Sequence, residues 1–112
     1  MLLPTLKEKK RYLAFEIISK NKINDFRAVS EQINAKTLEL IGQLGAAKAG
    51  LIVLQDCWNP ESQRGIIRVG HKQVDEIRAA LTLITKIDGK EVIVKSVGSS
   101  GILKKAKEKY LK

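Results

Sequence analysis

The sequence predicts an α+β fold: a four-stranded antiparallel sheet backed by helices, with a basic helix at its C-terminus. Three observations predict it. Short apolar runs with strand character alternate with two long stretches of helical spacing. The order along the chain is strand, helix, strand, strand, helix, strand, helix. The length of 112 residues suits one domain, taken as 1–112. A β-α-β-β-α-β order is the split βαβ pattern of ferredoxin-like folds. Right-handed crossovers then arrange the strands spatially as 4-1-3-2.

Each element has its own warrant. "RYLAFEII" (11–18) alternates Leu13, Phe15 and Ile17 with Tyr12, Ala14, Glu16 and Ile18, a period of two. "NKIND" breaks it, and Asn24 or Asp25 can cap a helix begun there. Phe26, Val29, Ile33, Leu40, Ile41 and Leu44 fall at helical offsets, so a long amphipathic helix is expected over about 25–43. Gly42 and Gly45 mark its end. "LIVLQDC" (51–57) reads as a strand, "WNPESQRG" (58–65) as turn chemistry and "GIIRV" (65–69) as the return strand. Val74, Ile77, Leu81, Ile84 and Ile87 place a second helix over 71–89, stopped by Asp88-Gly89. "KEVIVKSV" (90–97) is the last strand, and "SSGILKKAKEKYLK" (99–112) reads as a basic helix opened by a capping serine.

Composition excludes several functions. No apolar run approaches the roughly 20 residues needed to span a bilayer. "MLLPTL" is too short for the apolar segment of a signal peptide, so a cytoplasmic protein is expected. The lone Cys57 cannot form an intrachain disulfide and reads as a small buried hydrophobe. A catalytic thiol would need the single histidine, His71, as its base and an accessible electropositive setting. Clustered metal ligands and a carboxylate dyad are absent, so neither an intrinsic metal site nor a bound cofactor is expected.

The net charge is +9, and its distribution is uneven. Residues 1–11 carry +3 and residues 90–112 carry +5, whereas residues 12–89 carry only +1. In the expected topology strand 1 lies antiparallel to strands 3 and 4. Lys9, Lys10 and Arg11 therefore come beside Val97-Gly98, and the end of strand 3 brings His71 and Lys72 to the same edge. One sheet edge gathers the two basic ends into one patch. The "GSSG" segment (98–101) has two readings there. Ser99 or Ser100 caps the last helix and the lysines form a solvated face. Alternatively, the free N–H groups of the helix start make an anion site, with Lys104 and Lys105 one turn in. The segment lacks the lysine and spacing of a P-loop, which excludes nucleotide hydrolysis.

The resulting candidate contacts to a nucleic acid are Lys7, Lys9, Lys10, Arg11, Lys72, Ser99, Ser100, Gly101, Lys104 and Lys105. Strand 3 has no aromatic residue, and Tyr12 and Phe15 point to opposite faces, so base stacking on the sheet is not expected. Phosphate contacts would give affinity and positioning with little sequence readout. The strands 51–57 and 90–97 are apolar at both parities. Either the last helix or another protein covers the second face. Trp58, in a loop, reads equally as core or as an interface anchor.

"LLPTLKEKKRYLAFEI" (2–17), "LGAAKAGL" (44–51), "GIIRV" and "EIRAALTLITKIDGKEVIVKSVGSSGILKKAKEKY" (76–110) together resemble the Pop-family subunits of ribonuclease P, and among them the archaeal component 2 group. The resemblance implies an RRM-like α/β sandwich that binds the RNA subunit of a tRNA 5′-leader nuclease and stabilises its catalytic domain. It implies that catalysis and Mg²⁺ belong to that RNA. It implies a barrel-like partner, component 3, and two copies of each protein. Ile102 stands where many relatives have Thr, and lysines replace arginines in the last helix, losing the bidentate fork to phosphate. Two other classes compete. An acyl-phosphate-hydrolysing enzyme would need an arginine after strand 1, and "SKNKIND" has none. A structural dimerisation module would not explain the charge at the ends.

Overall fold

The computed structural model describes residues 9–111. Its elements run β1 (Lys10–Ser19), α1 (Phe26–Ala49), β2 (Ile52–Val53), β3 (Arg64–Gly70), α2 (Val74–Thr82), β4 (Lys86–Ile87), β5 (Lys90–Ser100) and α3 (Leu103–Tyr110). The sheet order is β2-β3-β1-β5-β4, with every pairing antiparallel. The four expected strands keep their relative order. The count is corrected from four to five, because β4 adds a short edge strand beside β5.

β1 forms the middle of the sheet because both its faces are covered over most of its length. Leu13, Phe15 and Ile17 pack with Ile67, Val69 and Val94 beneath α1 and α2, which contribute Val29, Ile33, Ile77 and Leu81. Ala14 faces the other way and packs with Ile66, Cys57 and Ala106 of α3. The chain's own last helix thus covers part of the second face. The remainder leaves Ile18 and Ile93, paired across β1 and β5, 46% and 63% exposed. Trp58 is half-buried, stacked on Phe15 at 6.1 Å and 15°. It therefore belongs to the edge of the main core.

α1 is capped by Asp25, whose Oδ1 accepts from the Arg27 N–H at 3.0 Å. It does not stop at residue 43. Gly42 leaves helical geometry (φ 72°, ψ 177°), but the helix resumes through the good formers Ala46–Ala49 and ends at left-handed Gly50. The strand expected over 51–57 is reduced to two residues. Gln55–Cys57 turn instead into a 3-10 helix that carries Cys57 under α3 and Trp58 toward Phe15.

The helix expected over 71–89 is also shorter. A 3-10 turn, His71–Gln73, leads into α2, which ends at Thr82. Ile84 and Ile87 are buried from an extended segment. Asp88 and Gly89 both have positive φ, 54° and 74°, the two-residue turn that matches strand twist and favours Asp-Gly. This turn chemistry overrides the helical spacing of the isoleucines.

The "GSSG" segment also departs from its expected place. Gly98, Ser99 and Ser100 lie inside β5, opposite Ala14, Leu13 and Tyr12. Between Ser96 and Gly98 the register shifts, leaving Val97 as an extra residue in a β-bulge. A Cβ at Gly98 would collide with the Tyr110 ring, so only glycine lets α3 lie this close to the strand. α3 begins at Leu103 with Ile102 at the cap position and no side-chain cap. Neither serine caps it.

Candidate nucleic-acid interface

The antiparallel ladder delivers the start of β1 to the end of β5. Tyr12 lies opposite Ser100, and the register continued by one step sets Arg11 beside Gly101. A Cβ built on Gly101 would lie 3.2 Å from Arg11 Nη1, so the guanidinium rests against this bare stretch of backbone. On the other side of β1, Lys10 lies opposite Gly70. The next residue, His71, donates its backbone N–H to the Lys9 carbonyl at 2.9 Å, and its Nδ1 lies 3.2 Å from the same oxygen.

These contacts shape an open cleft of about 540 Å³ lined by Lys9, Lys10, Arg11, Tyr12, His71 and Gly101. Among the described residues no carboxylate lines it. Among the described residues Lys9, Lys10 and Arg11 form no ion pair, while the acidic groups that do pair, such as Glu16, Glu31, Glu39 and Asp75, bind other cations. Three cations on one concave surface, none ion-paired among the described residues, form a local positive field that attracts polyanions.

The sequence-expected residues separate by place. Lys9, Lys10, Arg11 and Gly101 come together in the cleft. Lys72 adjoins it through His71, exposed in the 3-10 turn. Lys104 and Lys105 are exposed on the first turn of α3, just past Gly101, but do not line the cleft. Ser99 and Ser100 serve the fold: Ser99 Oγ accepts from Arg78 Nη2 at 3.4 Å, and Ser100 Oγ accepts from the Ile102 N–H at 3.1 Å. Lys7 lies outside the described residues.

Two further residues near these were not expected. Tyr12 lines the cleft. Arg78, from α2, reaches Ser99 and also Asp75 at 3.5 Å, with its buried Nε left without a partner among the described residues. Tyr12 could have been read from its position next to Arg11. Arg78 depends on how α2 crosses β5, which spacing alone does not give.

His71 is held on Lys9, whereas Cys57 is buried beneath α3, and burial pushes its thiol pKa upward. Among the described residues no group of three or more His, Cys, Asp or Glu side chains could hold a metal ion. No described helix is long and apolar enough to cross a membrane.

Comparison with known proteins bears on this arrangement. A model of the Rpp14/Pop5 family matches residues 11–111. The chain is 41% identical to ribonuclease P protein component 2 of Thermococcus gammatolerans, covering 96% of this chain and 88% of that one. It is 40% identical to the component 2 protein of Methanosarcina acetivorans, covering 99% and 80%, and 38% identical to that of Archaeoglobus fulgidus, covering 96% and 94%. Its fold is similar to a chain in the cryo-EM structure of yeast ribonuclease MRP, with a TM-score of 0.63 and 16% identity over 85% of this chain and 76% of that one.

Proposed function

Because the chain belongs to the Rpp14/Pop5 family, we propose that it is a protein subunit of archaeal ribonuclease P whose basic cleft grips the backbone of the complex's RNA. It binds and stabilises the catalytic domain of that RNA and so assists removal of 5′ leaders from precursor tRNA. The active site and its Mg²⁺ lie on the RNA, and this chain contributes neither a catalytic residue nor a cofactor. The observation that carries this reading is the Arg11 guanidinium laid on Gly101, in a cleft that no carboxylate of the described residues lines. A guanidinium there presents its remaining donors to a phosphate, and the small residue admits close approach of the ligand's backbone.

The protein partner is the barrel-like component 3, with two copies of each chain. Exposed leucines on α1 support a protein-covered surface: Leu38, Leu40 and Leu44 are 46%, 43% and 81% exposed. Patches of this kind mark interaction sites when they are contiguous.

Reconstitution tests the reading. Adding the chain and its partner to the RNA subunit at low magnesium is expected to switch on cleavage of precursor tRNA. No gain in cleavage would overturn it. Replacing Lys9, Lys10 and Arg11 together with Ala should lower the slope of log K against log salt by about two, at roughly 0.7–0.9 per lost phosphate contact.

A further inference from the structure

The two strands that form the cleft also carry a second group of cations at their far ends. β1 ends at Ser19, opposite Val92 near the start of β5. Lys20 and Lys22 come just after β1, while Lys86 and Lys90 flank the Asp88-Gly89 turn. These segments are joined rather than merely near. Lys90 Nζ donates to the Lys22 carbonyl at 3.4 Å, and Lys20, Asn21, Gly89 and Lys90 line one concavity of about 350 Å³ with Glu91. Among the described residues none of the four lysines is in an ion pair. Set against Asp88 and Glu91, the four lysines leave this end at +2.

We infer that this hairpin end is a second RNA-backbone site, so that the protein grips a folded RNA at two phosphate segments. The inference rests on the RNA-binding reading of the cleft and extends it. Two arguments favour RNA as the occupant. The first is separation: β1 is ten residues long, and at about 3.3 Å per residue its ends lie about 30 Å apart, too far for one cleft-sized contact. The second is the sheet face between them. Glu16 is the sole carboxylate of β1, and it is shared by Arg64 at 3.3 Å and Lys95 at 3.6 Å. Two cations on one anion leave the middle of the ladder positive, so no acidic break separates the ends. A protein surface would instead need a hydrophobic centre; the exposed Ile18–Ile93 pair lies one step in along the ladder, outside the concavity, and Lys20, Lys22 and Lys86 are exposed cations.

The test uses the full chain and the transcribed ribonuclease P RNA without other proteins. Backbone footprinting is expected to show two separate protected segments. Lys20/Lys22/Lys90→Gln should lose one segment and lower the salt slope by about two. Lys9/Lys10/Arg11→Ala should lose the other. Lys20/Lys22/Lys86→Gln keeps the Lys90 contact with the β1–α1 loop and should behave like the first variant, and circular dichroism checks that both are folded. Arg27/Lys36/Lys48→Gln, on α1, removes the same charge elsewhere and should leave both segments protected. A single protected segment, or hairpin variants indistinguishable from the α1 control, overturns the inference, including the case of an acidic protein occupying this end. The cleft reading then stands or falls on its own variant.

Discussion

The two faces of the sheet are built differently. Toward α1 and α2, the face is filled by large side chains: Leu13, Phe15, Ile67, Ile77 and Leu81 are fully buried. Toward α3, a single fully buried large side chain, Ile66, sits among small ones, with Ala14 against Ala106 and Gly98 beneath Tyr110. Large side chains hold layers apart and remove much apolar area from water, about 25 cal/mol per Å². Small ones let backbone approach backbone and contribute less area. The first face therefore holds the fold together, and the second sets where the end of β5 and α3 lie. The candidate interface is on the strand ends that the second face positions.

The largest effect that would break this contrast is on the main core. Phe15→Ala should cost about 3–5 kcal/mol by opening a cavity beneath Trp58, read by urea unfolding with the single tryptophan as probe. A loss below about 1 kcal/mol would mean the face is not the principal core. Next comes Gly98→Ala. The added methyl collides with Tyr110 and should cost about 1–3 kcal/mol by overpacking, with weaker RNA binding because α3 and the strand end are displaced. Adding Tyr110→Leu should restore part of both. Binding that is unaffected by Gly98→Ala would show that the close approach does not position the interface.

The smallest effect is the pH dependence of Cys57. Burial raises its thiol pKa in the folded state above the ordinary 9.0, with Lys107 opposing and Asp56 adding to the rise. The unfolded chain therefore releases this proton first. Its contribution to stability is complete below about pH 9 and declines as the pH rises further. Denaturation midpoints of the protein and of Cys57→Ala should converge above pH 9, and iodoacetamide should label the folded thiol slowly at pH 8. Rapid labelling would show that the α3 face is open.

Much of this contrast is legible in the sequence. The alternation of Leu13, Phe15 and Ile17 marks the core face of β1, and the topology alone brings Lys9–Arg11 to the end of β5. Three features are hidden for physical reasons. Ile84 and Ile87 fit a helical repeat and a hairpin equally well, and the Asp88-Gly89 turn decides between them. "GSSG" has turn composition, yet it joins the ladder because β1 supplies partners and α3 needs the bare Gly98. Arg78 reaches Ser99 only through the packing of α2 over β5, a relation between segments that no local pattern encodes.

The bulge at Val97 governs where these pieces meet. Counting back from Phe15 and Ser96 without it, Arg11 would meet Ser100 rather than Gly101, and each residue from 98 to 100 would turn its side chain to the opposite layer. One surplus residue therefore acts as a vernier between the two halves of the ladder. Deleting Val97 would keep Arg11 beside Gly101 in a regular ladder, whereas pairing Val97 with Ala14 would dial the arginine onto a hydroxymethyl group instead of open backbone.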